Sequence, residues 1–199
     1  MLKLILGAGV ALAAPPAFAD TSAETLTAAA RAQIGVTLIY NPSYTRIAYP
    51  GGDIDRLYGV CADVIVRAYR DGLGLDLQEL LHKDMKKDFS AYPPTWGLEK
   101  PDSNIDHRRV PNIETFLKRR GGQIWRNRGG VTDGAAFPEP LMTGDILTWR
   151  LNGRLPHIAF VGETGDEPTV VHNIGWGARE NALFGLSPHL PAGHYRWVG

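Results

Sequence analysis

Residues 144–173 read GDILTWRLNGRLPHIAFVGETGDEPTVVHN, and this stretch decides the fold. Runs of β-branched, aromatic and aliphatic residues at 146–149, 158–161 and 169–171 are typical of strands. The Asn152-Gly153 pair is a hairpin turn signal, and the polar residues 164–168 supply the next turn. The stretch therefore predicts an antiparallel meander, with a further candidate strand at residues 195–198.

The chain before this stretch has helical periodicity. Apolar residues at three- and four-residue spacing predict helices over 21–34, 60–71 and 76–89, and Asn112 is predicted to cap a short helix that runs through Arg120. Asp76 is the predicted N-cap of the third helix. Helices first and an antiparallel sheet second is an α+β layout, and residues 20–199 are expected to form one domain.

The N-terminus has the features of a secretory signal peptide. Lys3 precedes an apolar run at 4–14 that is too short to span a bilayer core of about 30 Å, and Ala17-Phe18-Ala19 fits a cleavage site before Asp20. We expect residues 1–19 to be removed from a periplasmic or otherwise exported protein with no stable membrane insertion. An uncleaved membrane anchor is the alternative.

The charge balance excludes one class of partner. Lys and Arg together number 21, as do Asp and Glu, so the formal net charge is zero. A chain without net positive charge has no general field to attract nucleic acid, and no nucleic-acid partner is expected.

Cys61 is the single cysteine of the chain, so no internal disulfide is possible. It lies in the first turn of the predicted helix 60–71. The positive end of a helix favours the thiolate, which is the nucleophilic form, and free N–H groups there can bind an oxyanion. These features predict a catalytic nucleophile, and an inert buried cysteine is the alternative.

Two histidines lie at the ends of predicted strands. His157 opens the strand 158–161, and an antiparallel partner strand would bring His172 beside it. We expect His157 to be the base for Cys61 and His172 to orient it, with Asn173 as the alternative orienter. A structural role for His172 is the alternative to this assignment.

The same histidines suggest metal binding as a further alternative. His157 and His172, with Asp63 or Asp145, offer zinc-binding atoms. The sequence has no short-spaced ligand motif and no phosphate-binding glycine pattern, so neither a metal nor a cofactor is expected.

The run Gly144 to Trp149, then Pro156 to Gly162, then Val171-His172-Asn173 resembles the NlpC/p60-type papain-like cell-wall peptidases. This resemblance implies a papain-like fold in which Cys61 is the nucleophile, His157 the base and His172 the orienter. Members of that superfamily commonly have Asp-Cys-Ser around the nucleophile. Val60-Cys61-Ala62 differs from that pattern, so contacts near the thiol are expected to differ.

Most of the mature chain resembles a bacterial family known as domain of unknown function 1287. The marks of this resemblance are Ala32 to Thr37, Gly59-Val60-Cys61, Arg67 to Arg70, Ile105 to Asn112 and His172 to Gly175. These marks are specific for the family and much less specific for a reaction.

Several residues are candidates for substrate binding. Arg108 and Arg109 precede a helix and could grip a carboxylate, and the alternative is that an arginine pairs with Asp106 or Asp102 to hold the loop. Trp176, between two glycines, is the candidate groove residue. Tyr92 and Trp96 are further aromatic candidates, whereas Trp149 is expected in the core.

Together these features predict an exported cysteine hydrolase that cleaves an amide bond through a Cys-His-His thioester mechanism. Peptidoglycan stem peptides are the expected substrate, because the resemblance and the predicted export both point to the cell wall. A thiol acyltransferase and a catalytically silent wall-binding module are the alternatives.

Overall fold

The computed structural model describes residues 17–129, 137–138 and 140–199. Residues 1–16, and with them most of the predicted signal peptide, lie outside the described residues. The first described helix begins at Ala17 and runs through the predicted cleavage point.

Four α-helices are described: α1 (Ala17–Arg31), α2 (Cys61–Leu73), α3 (Leu77–Lys87) and α4 (Val110–Arg119). Short 3₁₀ turns lie at Phe89–Ala91, Asp106–Arg108 and Leu183–Leu186. The prediction that Asp76 caps α3 is confirmed, because its carboxylate accepts a hydrogen bond from the Gln78 N–H. None of the helices in the described ranges is long and apolar enough to cross a membrane.

Several helix boundaries differ from the prediction: α1 begins at Ala17 rather than at residue 21, and α2 and α3 end at Leu73 and Lys87 rather than at residues 71 and 89. α1 ends at Arg31, and turns follow where the helix was expected to continue to residue 34. Asn112 is not the cap of α4, which begins at Val110 with Pro111 in its first turn. Proline suits that position because it lacks an N–H that the first turn leaves unpaired. The Asn112 amide instead donates to the Asp106 carbonyl.

The strands are β1 (Ile39–Tyr40), β2 (Tyr58–Gly59), β3 (Gln123–Arg126), β4 (Ile146–Leu151), β5 (Leu155–Val161), β6 (Thr169–Asn173), β7 (Ala178–Ala182) and β8 (Leu190–Tyr195). β1 and β2 form a short parallel pair. The other six form an antiparallel sheet in the order β3-β8-β4-β5-β6-β7. The helices and the antiparallel sheet of the predicted α+β class are confirmed.

The predicted meander is present as β4 to β6, with its first turn at the expected residues, and β7 continues it as a strand that was not predicted. Leu151 pairs with Leu155, so the connection has three residues, and Asn152 and Gly153 within it both have positive φ. The prediction of a strand at 195–198 is wrong in its bounds, because the strand is Leu190–Tyr195. β8 inserts between β3 and β4, and pairing with β4 sets its bounds.

The sheet has two apolar faces. Side chains alternate along a strand, so Ile158 and Phe160 pack toward the helices, where Cys61 belongs to the same buried cluster. Ala159 and Val161 pack on the opposite face with Trp149. Both faces of β5 are therefore covered, and the strand is buried from residue 157 onward.

Candidate active site

Cys61 is the first residue of α2, which confirms its predicted place in the first turn, and only 4% of it is exposed. The backbone N–H groups of Ile158, Ala62 and Cys61 itself donate hydrogen bonds to the thiol. The Tyr40 hydroxyl also hydrogen-bonds the thiol from the end of β1. The sulfur therefore lies between the helix N-terminus and the backbone of β5.

Burial controls the protonation of this thiol. Burial raises the pKa of Cys61 to about 11, and the nearby Asp63 carboxylate acts in the same direction. The backbone hydrogen bonds lower the pKa but do not outweigh burial. At neutral pH the group is therefore a thiol, and the helix N-terminus alone does not make it a thiolate.

The thiol lies where β5 and β6 separate. The ladder between these strands pairs Phe160 with Val171 and Val161 with Val170, and it ends there although both strands continue. The Ile158 N–H, beyond the end of the ladder, donates to Cys61. The sulfur thus contacts β5 one residue from His157.

His157 and His172 meet as the sequence predicts. His157 Nε2 and His172 Nδ1 are 2.8 Å apart, and the ring centroids are 5.0 Å apart. On its other side, His172 Nε2 lies 3.0 Å from Asn181 Oδ1. The pair is therefore extended into a chain of three side chains that runs from β5 across β6 to β7.

His157 shares its sheet face with Trp149, whose ring centroid is 6.0 Å away. Burial, together with the neighbouring His172, lowers the pKa of His157 to about 3, so the imidazole is neutral at physiological pH. Among the described residues no hydrogen bond joins Cys61 to the His157 ring. The thiol contacts the backbone of Ile158, because alternation directs the His157 side chain to the opposite face from that of Ile158.

Asn173, the alternative orienter, contacts a different group. Its amide nitrogen donates to the Gly59 carbonyl at 3.1 Å, and its oxygen accepts from the Gly175 N–H at 3.2 Å. Asn173 therefore fastens β6 to the segment that precedes Cys61, and the partner of His157 is His172.

Arg108, a predicted substrate anchor, is bonded inside the protein. Its Nε and Nη2 pair with the Asp63 carboxylate at 2.9 and 3.0 Å, and Nη1 and Nη2 donate to the carbonyls of Ser43 and Asn41. Each nitrogen of this buried guanidinium is thus used inside the protein. Asp63 also accepts from the Val60 N–H at 2.6 Å, so the ion pair holds the N-terminus of α2.

Arg109 has, in part, the alternative role of holding the loop through an aspartate. Its Nη1 donates to Asp106 at 3.0 Å, one of the two pairings considered for the loop. The guanidinium lies 4.1 Å from the ring centroid of Trp96, a cation–π contact. Its Nε and Nη2 have no hydrogen bond among the described residues, and the side chain lines the cleft beside Cys61.

A cleft of about 480 Å³ opens at Cys61. Its lining is mainly aromatic and aliphatic, with the two arginines as its charged residues: Tyr40, Pro42, Tyr44, Val60, Cys61, Trp96, Ile105, Arg108, Arg109, Val110, Pro111, Leu155 and Pro156. Trp176 does not line it and is 75% exposed on the loop between β6 and β7. Trp96 is thus the tryptophan at the cleft, and Trp149 is buried as predicted.

The atoms considered for a metal are not assembled into a site. Asp63 pairs with Arg108, and Asp145 pairs with His194 and Arg196. Within the part of the chain that the structure describes, no group of three or more His, Cys, Asp or Glu is arranged to hold a metal ion.

The structure gives Asp63, Asn181 and Tyr40 roles that the sequence did not predict. Asp63 could have been found, because an acidic residue three positions after Val60 is a helix N-terminal signal. Asn181 could be identified only from the register of β6 with β7, which brings it next to His172. Tyr40 carries no local signal, since it reaches the thiol only through the pairing of β1 with β2.

Comparison with known proteins places the chain in a family. The family described as domain of unknown function (DUF1287) matches residues 27–197. The uncharacterized protein YijF of Escherichia coli (strain K12) is 43% identical over 191 residues, which cover 93% of this chain and 88% of that protein. No solved structure matches. With the family matching nearly the whole chain, this protein belongs to the DUF1287 family.

Proposed function

We propose that this protein is an exported cysteine hydrolase that cleaves an amide bond, with Cys61 as nucleophile and His157 as base. The observation that carries the proposal is the position of the thiol. It lies at a helix N-terminus, at the opening between β5 and β6, one residue along β5 from a histidine that is bonded to a second histidine. A cleft leads to the same point.

The order of elements supports a papain-like arrangement. A helix that begins with Cys61 precedes the antiparallel sheet, His157 lies near the start of β5, and His172 lies near the end of β6. This order is the one expected from the resemblance to NlpC/p60-type peptidases. α2 also packs on the face of the sheet that holds Ile158 and Phe160.

The chemistry begins from two neutral groups. The raised pKa of the thiol and the lowered pKa of His157 keep both groups neutral at rest and oppose proton transfer before the substrate reacts. In the proposal the proton therefore leaves Sγ only as sulfur attacks the carbonyl carbon, and it passes to the Nδ1 of His157 around the edge of β5, where the ladder with β6 has ended. The oxyanion of the tetrahedral intermediate is stabilised by N–H groups at the start of α2 and by the Tyr40 hydroxyl.

The second half of the reaction reverses the proton transfer. His157 returns the proton to the leaving amine, which departs and leaves a thioester on Cys61. Water then attacks the thioester carbon while His157 takes its proton, and the acid product and the free thiol are released. No cofactor enters these steps.

Peptidoglycan stem peptides are the substrate that we propose. They carry carboxylates, and the cleft presents the guanidinium of Arg109 beside Trp96. The predicted signal peptide supports a location outside the cytoplasm, where such peptides are found. The resemblance to cell-wall peptidases supports the same choice.

The test compares the wild-type chain without residues 1–19, Cys61→Ala and His157→Gln on purified peptidoglycan. We expect soluble peptide fragments from the wild type and at least a thousandfold less from either variant, because both act in the same step. Mass spectrometry of the fragments identifies the bond. Thermal unfolding must show that both variants are folded, and equal release by wild type and Cys61→Ala would refute the proposal.

A binding module without turnover is the second candidate. The observation that favours it is the buried thiol, whose pKa is raised to about 11 and which has no hydrogen bond to His157. A silent module would bind peptidoglycan in a pelleting assay and release no fragments. The Cys61→Ala variant would then bind as well as the wild type.

A further inference from the structure

The His157–His172 pair does not end at His172. His172 Nε2 lies 3.0 Å from Asn181 Oδ1, and His172 Nδ1 lies 2.8 Å from His157 Nε2. Both histidines are buried, whereas Asn181 lies on the exposed part of β7. A hydrogen-bonded chain therefore connects the base of the proposed mechanism to a surface amide.

Each bond in this chain fixes the position of one proton. An amide oxygen can only accept, so the hydrogen between Asn181 and His172 is on His172 Nε2. A neutral imidazole carries one N–H, which leaves His172 Nδ1 as an acceptor. His157 Nε2 must then carry the hydrogen of the next bond, and His157 Nδ1 keeps its lone pair.

We propose that Asn181 is a positioning residue that sets the tautomer of His157 through His172. The inference rests on the proposed function, in which the lone pair on His157 Nδ1 accepts the proton of the thiol. With the opposite tautomer, His157 Nδ1 would carry a hydrogen and could not act as the base.

Backbone pairing places Asn181 independently of its side chain. Asn181 pairs with Val170, and Arg179, two residues earlier on β7, pairs with His172. Asn181 and His172 are thus diagonal neighbours on one face of the sheet. The Arg179 Nε donates to the Trp176 carbonyl, and His172 Nε2 has the Asn181 oxygen as its acceptor. A substitution at position 181 is therefore expected to leave β7 in place.

The protonation of His172 agrees with an acceptor at Asn181. Burial lowers the pKa of His172, and the hydrogen bond that His172 donates to the Asn181 oxygen acts in the opposite direction. His172 is thus held neutral by its surroundings, and the neutral ring has two tautomers between which the amide oxygen selects.

The experiment uses the chain without residues 1–19 as wild type, Asn181→Asp and Asn181→Leu. Asp keeps an acceptor oxygen at the same position, and Leu removes it. Nitrogen-15 NMR of the histidine side chains reports which ring nitrogen carries hydrogen. We expect the Nε2–H form of His157 and His172 in wild type and Asn181→Asp, and loss of this preference in Asn181→Leu.

Kinetics on peptidoglycan give the second measurement. We expect kcat of Asn181→Leu to fall roughly ten- to a hundredfold with KM little changed, as for other outer partners of a functional histidine. Asn181→Asp should recover most of that loss. A purely structural role would instead lower thermal stability in both variants and leave the tautomers unchanged.

The two proposals fail in different ways. Unchanged tautomers in Asn181→Leu, or an Nδ1–H form of His172 in the wild type, would overturn the positioning role whatever the activity. A tautomer change with unchanged hydrolysis would support the positioning role and overturn the role of His157 as base. Full activity of Cys61→Ala would overturn the proposed function alone, because the NMR measurement does not depend on turnover.

Discussion

At Cys61, two physical effects act in opposite directions. The N–H groups at the start of α2 and the Ile158 N–H favour a negatively charged sulfur, whereas loss of water around the buried group disfavours it. Burial is the larger effect and raises the pKa to about 11. The nucleophile of the proposed mechanism is therefore generated during the reaction and does not exist as a thiolate beforehand.

The pH dependence of Cys61 alkylation tests whether burial outweighs the N–H groups. Cys61 is the only cysteine of the sequence, so all labelling of cysteine reports on it. With the pKa raised to about 11, the thiolate fraction grows about tenfold per unit between pH 7 and pH 9. We expect the iodoacetamide rate to follow this rise. At pH 8 it should be on the order of a hundredfold below that of free cysteine.

Labelling of the intact protein is followed by mass spectrometry, with Cys61→Ala as the blank. A rate that stays constant from pH 5 to pH 9 would contradict the expectation, since that is the behaviour of a thiolate paired with a protonated histidine.

At the level of elements, the N-terminus of α2 is held from two sides. The Asp63–Arg108 pair ties it to the loop at Asn41, and Asn173 ties the preceding Gly59 to β6. Both members of the ion pair are at least nine-tenths buried. Removing one member of such a pair leaves an uncompensated charge in the interior, which costs more than the pair itself contributes.

We expect Arg108→Ala to lower the free energy of unfolding by about 3–5 kcal/mol, because the Asp63 carboxylate would stay buried without its partner. Arg56→Ala is the matched control. Arg56 also pairs with an aspartate, Asp71, through two nitrogens, but its side chain is 45% exposed. Exposed pairs contribute about 0–1 kcal/mol.

Urea denaturation followed by circular dichroism measures both variants. Equal losses in Arg108→Ala and Arg56→Ala would contradict a special role for the buried pair. An Arg108→Ala variant that does not fold agrees with the expectation.

Across the whole molecule, buried neutral histidines couple the fold to pH. Burial lowers the pKa of His107 to about 4 and that of His157 to about 3. In the unfolded chain both groups take up protons near pH 6.5. Between these values the unfolded state binds more protons than the folded state, so the free energy of unfolding decreases as pH falls.

We therefore expect stability to be full above about pH 6.5 and to fall progressively down to about pH 4 for the His107 contribution and about pH 3 for that of His157. Each buried histidine contributes a slope of about 1.4 kcal/mol per pH unit where its unfolded form is protonated and its folded form is not. His107 is not one of the proposed catalytic residues. The His107→Gln variant should have a slope that is smaller by about 1.4 kcal/mol per pH unit. Urea denaturation at pH 7, 6, 5 and 4 gives the slopes, and identical slopes for both proteins would contradict this account.

Local sequence rules predicted what depends on neighbours along the chain. The start of α2 at Cys61, the Asp76 cap and the hairpin at Asn152-Gly153 all follow from spacing and turn chemistry within a few residues. The pairing of His157 with His172 also followed, because a meander brings consecutive strands together.

Other assignments depended on distant parts of the chain. Arg108 was expected to face a substrate, and its partner Asp63 lies 45 residues earlier. Asn173 was a candidate orienter, and its amide is bound by Gly59, 114 residues away. Spacing along the chain contains no information about such contacts, because they exist only after the helices have packed on the sheet.

By itself the sequence determined the helices-then-sheet order, the placement of Cys61 at a helix N-terminus and the two histidines on neighbouring strands. Only the tertiary structure decided that the thiol is buried and protonated, that Tyr40 touches it and that Asn181 extends the histidine pair. The physical reason is that helix starts and turns are set by local backbone geometry, whereas pKa values and side-chain partners depend on burial and on strand register, which the packed chain alone establishes.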